Sequence, residues 1–224
     1  MKKFNMLITF LLLPIYWIRS IIIKKFNLKD KVHSELKLYP KHYLGFRGIS
    51  VKVIGEQTTS DVPTIYLSNH QSMNDIFVTI AAVNKQFRFI AKKELFTNFI
   101  TGPFMRMSES YALDREDPRA SLSLLKQAVS DLEDGHSILA FPEGTRSHKK
   151  ELLEFKDGIF AILRRASAPI VVMYIKESFN EKQKEIEVYF GKTIKPSEYN
   201  KLKTKELSDL VFNNMQDLMN EAYA

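Results

Sequence analysis

The chain has 224 residues, no cysteine and a formal net charge of +7. Without cysteine there is no disulfide, iron–sulfur cluster or thiolate zinc site to consider, and the length suits one domain with a substantial core. With 45% hydrophobic and 26% charged residues the chain reads as folded, and its positive charge favours an anionic partner, either nucleic acid or a membrane surface.

The N-terminus favours the membrane. Met6 to Ile23 is an apolar run interrupted by Thr9, Pro14, Arg19 and Ser20, with Lys2 and Lys3 before it and Lys24 and Lys25 after it. A secretory signal peptide lacks its small-residue cleavage site here. A spanning helix needs roughly 20 apolar residues, and this run is short for that and carries a proline and an arginine. Lysines at both ends also argue against placing one end outside, because basic flanks stay on the cytoplasmic side. The favoured expectation is a helix lying in one leaflet on the cytoplasmic face of the cell membrane, with Tyr16 and Trp17 near the headgroups and the lysines toward anionic lipid. A spanning helix and a buried core helix are the alternatives. Residues 1–30 are thus expected to form a membrane-associating helical segment, and residues 31–224 the folded domain.

Beyond Lys29 the pattern is that of an α/β domain. Ile49 to Ile54 alternates as a strand and stops at Gly55. Thr64 to Ser68 is a short apolar strand, Ile76 to Val83 a helix and Phe87 to Ala91 the next strand. A helical pattern from Lys93 is broken by Gly102-Pro103. Tyr111 to Leu113 is a brief strand. Asp117-Pro118 supplies an N-cap and a first-turn proline for a helix to about Asp134, which Gly135 ends. Ser137 to Phe141 is a strand, Gly158 to Ala166 a helix, and Pro169 to Ile175 and Ile186 to Phe190 are late strands. Leu207, Leu210, Val211, Met215, Leu218 and Met219 put an apolar stripe on a C-terminal helix. Strands alternating with helices predict a single α/β domain with a mixed, largely parallel sheet flanked by helices.

Two segments carry chemistry. The first runs from Asn69 to Asp75 between a strand and a helix, where sites of α/β sheets are built. Within one regular helix His70 and Asp75 would lie about 140° apart. With His70 in the turn before the helix, Asp75 can fold back, fix the imidazole tautomer and leave the other ring nitrogen to take a proton from a hydroxyl. The competing reading makes Asp75 a helix cap and nothing more, because Ser72 to Asp75 also fits a capping box. No second His–carboxylate cluster with ligand spacing appears, so no metal is expected. The second segment, Phe141 to Ser147, follows an apolar strand. Gly144 allows close backbone approach to a ligand, and Arg146 offers a fork that matches phosphate. The alternative is a plain turn with an exposed arginine.

Taken together, the segments resemble the lysophosphatidic acid (1-acylglycerol-3-phosphate) acyltransferases and their glycerolipid relatives. That family's N-H-x-S-x-x-D motif is met by Asn69, His70, Ser72 and Asp75. Its A-K-x-E-L segment ending in D-R is met by Ala91, Lys92, Glu94, Leu95, Asp114 and Arg115. Its F-P-E-G-T-R-S motif matches every position from Phe141 to Ser147, followed by F-K-x-G at Phe155, Lys156 and Gly158. Its apolar, proline-bearing strand is met by Pro169 to Ile175. All stand in the family's order. Phe99 and Val172 stand where the family usually has prolines, which bears on acyl-donor and chain-length preference.

The resemblance implies transfer of a fatty acyl group from a thioester, acyl-CoA or acyl-ACP, to the sn-2 hydroxyl of lysophosphatidic acid, giving phosphatidic acid. His70 and Asp75 would be the catalytic pair. Arg146, Lys92 and Arg115 would hold the acceptor's phosphate, with Glu143 and Gly144 shaping that pocket and Lys93 at the surface. No metal or organic cofactor is implied. Acyl transfer to another lysophospholipid, a His–Asp ester hydrolase and a catalytically silent membrane-surface protein remain as alternatives. Nucleic acid is the weakest reading, since 33 basic residues are interspersed with 26 acidic ones and no recognised nucleic-acid module occurs.

Overall fold

The computed structural model describes residues 14–23, 25–26, 28–57, 62–98 and 101–224. Among them the strands form one seven-stranded sheet in the order β1-β7-β6-β2-β5-β3-β4. In chain order these are β1 (Ser50–Ile54), β2 (Ile65–Ser68), β3 (Phe87–Lys92), β4 (Tyr111–Leu113), β5 (Ser137–Ala140), β6 (Ile170–Ile175) and β7 (Glu185–Ile194). Every neighbouring pair is parallel except β6 with β7. The expectation of a mixed, largely parallel sheet therefore holds.

The helices are α1 (residues 14–23), α2 (Lys29–Phe46), α3 (Asn74–Ala82), α4 (Glu94–Thr97), α5 (Gly102–Met107), α6 (Pro118–Glu133), α7 (Asp157–Leu163), α8 (Pro196–Tyr199) and α9 (Thr204–Tyr223). The central strands are apolar on both sides because both faces are covered. Tyr66 sits in register with Leu139 and Val171, and all three pack toward α2, α3 and α5. Ile65 and Leu67 face the other way, toward α6, α7 and α9, where Leu207, Val211 and Met215 of the expected C-terminal stripe are fully buried.

α6 begins as its sequence predicts, with the Asp117 carboxylate accepting from the amides of Arg119 and Ala120 and Pro118 in the first turn. It ends at Gly135, whose φ of +93° suits a residue without Cβ. The pattern from Lys93 onward resolves into two short helices. Gly102-Pro103 opens α5 rather than ending a helix, because proline is tolerated in a first turn. A Cβ on Gly102 would lie 2.5 Å from the Phe96 carbonyl oxygen, so the connection packs too closely for any other residue.

α2 is the element that the sequence conceals. Pro40 sits inside its 18 residues and reads as a break. The helix is held instead by packing: Tyr39 stacks on Phe104 at 4.5 Å and meets Phe77 edge-on at 5.6 Å. α2 in turn receives α1. Tyr16, Ser20 and Ile23 are buried, the Tyr16 hydroxyl meets His42, and Arg19 grips the Glu35 carboxylate with two nitrogens. Ile15, Trp17, Ile18, Ile21 and Ile22 remain exposed on α1. Residues 1–13, with Lys2, Lys3 and the start of the apolar run, lie outside the described residues, as does Lys24. Among the described residues no helix is long and apolar enough to cross a membrane.

Candidate active site

The turn between β2 and α3 is assembled by its own side chains. Asn69 pairs with the end of β6 as another strand residue would: its amide nitrogen donates to the Ile175 carbonyl at 2.9 Å and its oxygen accepts from the Ile175 amide at 2.7 Å. That fixes where the next residue leaves the sheet. His70 then sits in the turn, and its Nδ1 lies 2.8 Å from Oδ2 of Asp75. The same oxygen accepts from the amides of Gln71 at 2.6 Å and Ser72 at 2.8 Å. One fully buried carboxylate therefore makes both sets of contacts: it gathers the amides leading into α3 and holds the imidazole, so it is more than a helix cap.

The His70 ring lies against Phe141, 4.2 Å between centroids and 17° from coplanar, which limits its rotation. With Nδ1 occupied, Nε2 is the nitrogen left for chemistry, and His70 lines a cleft of about 300 Å³. The inner wall is apolar, from Ile76, Phe89, Leu95, Met105 and Phe141, while Lys92, Arg115 and Arg146 supply cationic groups. Such a space matches a ligand with an anionic head and a hydrocarbon body.

The cations differ in how they are held. Lys92 pairs with Glu94 at 3.2 Å, both half exposed. Arg115 donates to the Gly144 carbonyl. Arg146 is exposed and forms no ion pair among the described residues. Lys93 turns away to Asp114 at 2.8 Å, which leaves Lys92 as the cleft lysine of the pair. Gly144 has φ +69°, and a Cβ there would also crowd the Lys156 side chain at 3.2 Å.

Glu143 requires a correction. Expected in the phosphate pocket, it is buried behind the turn. One carboxylate oxygen accepts from the His70 amide at 2.7 Å and the other from the Leu153 amide at 2.9 Å. Both oxygens are thus spent on backbone, and an anion there would repel a phosphate. Burial pushes its pKa up to about 7, against the lowering effect of those two amides. Val172 is buried on the α9 side of the sheet and does not line this cleft. Phe99 lies outside the described residues.

The Acyltransferase family model matches residues 50–176, more than half of the chain, and spans His70, Asp75, Lys92, Arg115 and Arg146. The chain belongs to this acyltransferase family. The chloroplastic 1-acyl-sn-glycerol-3-phosphate acyltransferase LPAT1 of Arabidopsis thaliana is 36% identical over 141 residues, which are 63% of this chain and 38% of that one. The 1-acyl-sn-glycerol-3-phosphate acyltransferase of Saccharomyces cerevisiae is 34% identical over 134 residues, 58% of this chain and 44% of that one. This chain thus matches less than half the length of either relative. The same fold occurs in the 1-acyl-sn-glycerophosphate (LPA) acyltransferase PlsC from Thermotoga maritima, with a TM-score of 0.80 over 100% of this chain and 98% of that one, at 23% identity.

Of the residues singled out in this acyltransferase-family sequence, the fold brings His70, Asp75, Lys92, Gly144, Arg115 and Arg146 to one place and sets Glu143 behind it. Sequence reasoning missed Ser178, whose hydroxyl donates to Oδ1 of Asp75. It lies 103 residues further along the chain, just past β6, and no local pattern marks it.

Proposed function

We propose that this protein is a 1-acyl-sn-glycerol-3-phosphate acyltransferase, moving a fatty acyl group from an acyl-CoA or acyl-ACP thioester to the sn-2 hydroxyl of lysophosphatidic acid. The observation that carries the reading is the His70–Asp75 contact of 2.8 Å at a cleft with an apolar wall and three cations. The names of the relatives agree with it. His70 Nε2 takes the proton of the acceptor hydroxyl as its oxygen attacks the thioester carbonyl. The tetrahedral intermediate then collapses, the carbon–sulfur bond breaks, and the imidazolium returns its proton to the leaving thiolate. Asp75 stabilises the imidazolium and keeps the ring oriented. No serine or cysteine acyl-enzyme is involved, since the acceptor is itself the nucleophile, and the thioester is a co-substrate rather than a resident cofactor.

The cationic rim of Arg146, Arg115 and Lys92 suits the acceptor's phosphate, with the guanidinium forks able to bind two phosphate oxygens at once. The exposed apolar face of α1 supports attachment of the N-terminal segment to a lipid leaflet, the cytoplasmic one in this reading, while Tyr16 and Ile23 on its inner face join the core of the catalytic domain.

The test is product analysis by mass spectrometry with purified full-length protein, lysophosphatidic acid and either thioester. Phosphatidic acid that depends on the acceptor supports the reading. Free fatty acid formed equally with and without acceptor establishes a hydrolase instead, and ester formed only on other lysophospholipids moves the acceptor assignment to them.

A further inference from the structure

Ser178 spends every hydrogen-bonding atom it has on the turn that carries His70 and Asp75. Its amide donates to Oε1 of Gln71 at 3.1 Å, and its carbonyl accepts from the Ser72 hydroxyl and the Asn74 amide group, both at 3.0 Å. Its hydroxyl donates to Oδ1 of Asp75. The residue before it, Glu177, has φ +53°, a left-handed conformation that residues with side chains seldom adopt. That bend turns the chain leaving β6 back onto the turn after β2. Ser178 is itself buried, so these contacts are made away from water.

The two carboxylate oxygens of Asp75 are unequally served. Oδ2 takes the His70 ring and two amides, whereas Oδ1 takes the Ser178 hydroxyl. In a fully buried carboxylate an oxygen without a donor is costly, so this hydroxyl completes the set of contacts that fixes the group's rotation and draws off part of the negative charge it presents to the imidazole. We propose that Ser178 is a positioning residue for the proton-transfer pair, acting on His70 through Asp75. The inference rests on the reading of His70 as the general base.

The test uses full-length protein with Ser178→Ala, Asp75→Asn and the double variant. Ser178→Ala should lower kcat by about 10- to 100-fold, the worth of one hydrogen bond to a charged group, with KM for both substrates unchanged. Losing the donor concentrates charge on Asp75 and favours the imidazolium. The acid limb of the kcat profile and the His70 ring titration followed by NMR should both move to higher pH. The other charged groups about His70 are Glu143 at its amide and Lys92, Arg115 and Arg146 across the cleft; the substitution alters none of them. In the Asp75→Asn background, Ser178→Ala should cost nothing further, whereas a merely structural tie gives additive losses. Additivity, or a His70 titration identical to that of the unmodified protein, overturns the proposal. Ser178→Cys, which keeps most of the volume and weakens the donor, covers the case in which alanine does not fold: it should lose kcat, and full activity likewise overturns it. The NMR titration needs no turnover, so a shifted titration in a protein without acyl transfer would sink the functional reading and leave the Ser178 coupling standing.

Discussion

The imidazole of His70 meets the carboxylate of Asp75 across 2.8 Å although the two are five residues apart, because His70 lies in the turn and Asp75 in the first turn of α3. On one continuous helix they would diverge by about 140°. His70→Ala should therefore abolish nearly all acyl transfer while leaving the thermal unfolding midpoint close to its original value. Asp75→Asn should lower kcat by about 10²–10⁴, the usual worth of an oriented general base, with little change in acceptor KM. A well-folded His70→Ala protein that keeps more than about a tenth of its activity would overturn the assignment.

Arg146 stands in the cleft without an ion-pair partner among the described residues, so its charge is available to a ligand. Arg146→Ala should raise KM for lysophosphatidic acid far more than for an uncharged monoacylglycerol. Arg146→Lys should recover little, because a point charge does not reproduce the guanidinium fork. Comparable losses on both acceptors would mark Arg146 as structural.

Glu143 links stability to pH. Its native pKa of about 7 lies above the ordinary 4.5, so the folded state holds this proton where the unfolded state has released it. The contribution of the group is therefore greatest below pH 4.5 and is lost as pH rises through about 7. Glu143→Gln carries no charge, and its amide nitrogen faces a backbone donor, a cost of about 1–3 kcal/mol that does not vary with pH. The gap in unfolding midpoint between the two proteins should narrow as pH rises from 4.5 to 7. Parallel midpoints across that window would show that the carboxyl is not protonated in the fold.

How much of this was legible in the sequence depended on whether the determinant was local. The N-cap at Asp117, the strand at Ile170–Ile175 and the stripe on α9 are local patterns, and each appears where the residues place it. Asp75 was ambiguous because a helix-start contact and a contact to His70 use the same carboxylate, and only the position of His70 in the turn shows that both contacts form. Glu143 was misplaced because a motif gives the order of its residues and not their directions. With its neighbour Gly144 in the cleft, the glutamate points the opposite way, into the backbone behind His70. α2 was hidden by Pro40, and tertiary contacts from Tyr39 to Phe104 and Phe77 override that local signal. Ser178 needed the fold itself, since only the pairing of β2 with β6 brings residues so distant in sequence together.

The geometry of α1 changes how membrane attachment has to be tested. Removing the N-terminal segment would take Tyr16 away from Tyr39, with which it packs edge-on at 5.0 Å, and Ile23 from the same core. A truncated protein would thus confuse lost binding with a damaged domain. Substitutions on the outer face separate the two. Ile18 is 55% exposed and Ile22 44%, so Ile18→Glu with Ile22→Glu should leave the unfolding midpoint nearly unchanged while releasing the protein from vesicles of anionic phospholipid. Tyr16→Ala should do the reverse, lowering the midpoint with modest effect on vesicle binding. Raising ionic strength should weaken attachment further, because each basic residue near an anionic surface contributes about 1 kcal/mol through charge alone. Activity should fall with release on membrane-embedded lysolipid and persist on a soluble short-chain acceptor, because His70 and Asp75 lie in the domain. Orientation then follows from single cysteines at Lys3 and Lys25 in a chain that has none of its own. Labelling of both from the cytoplasmic side accords with a helix in one leaflet, and labelling from opposite sides would replace it with a spanning one.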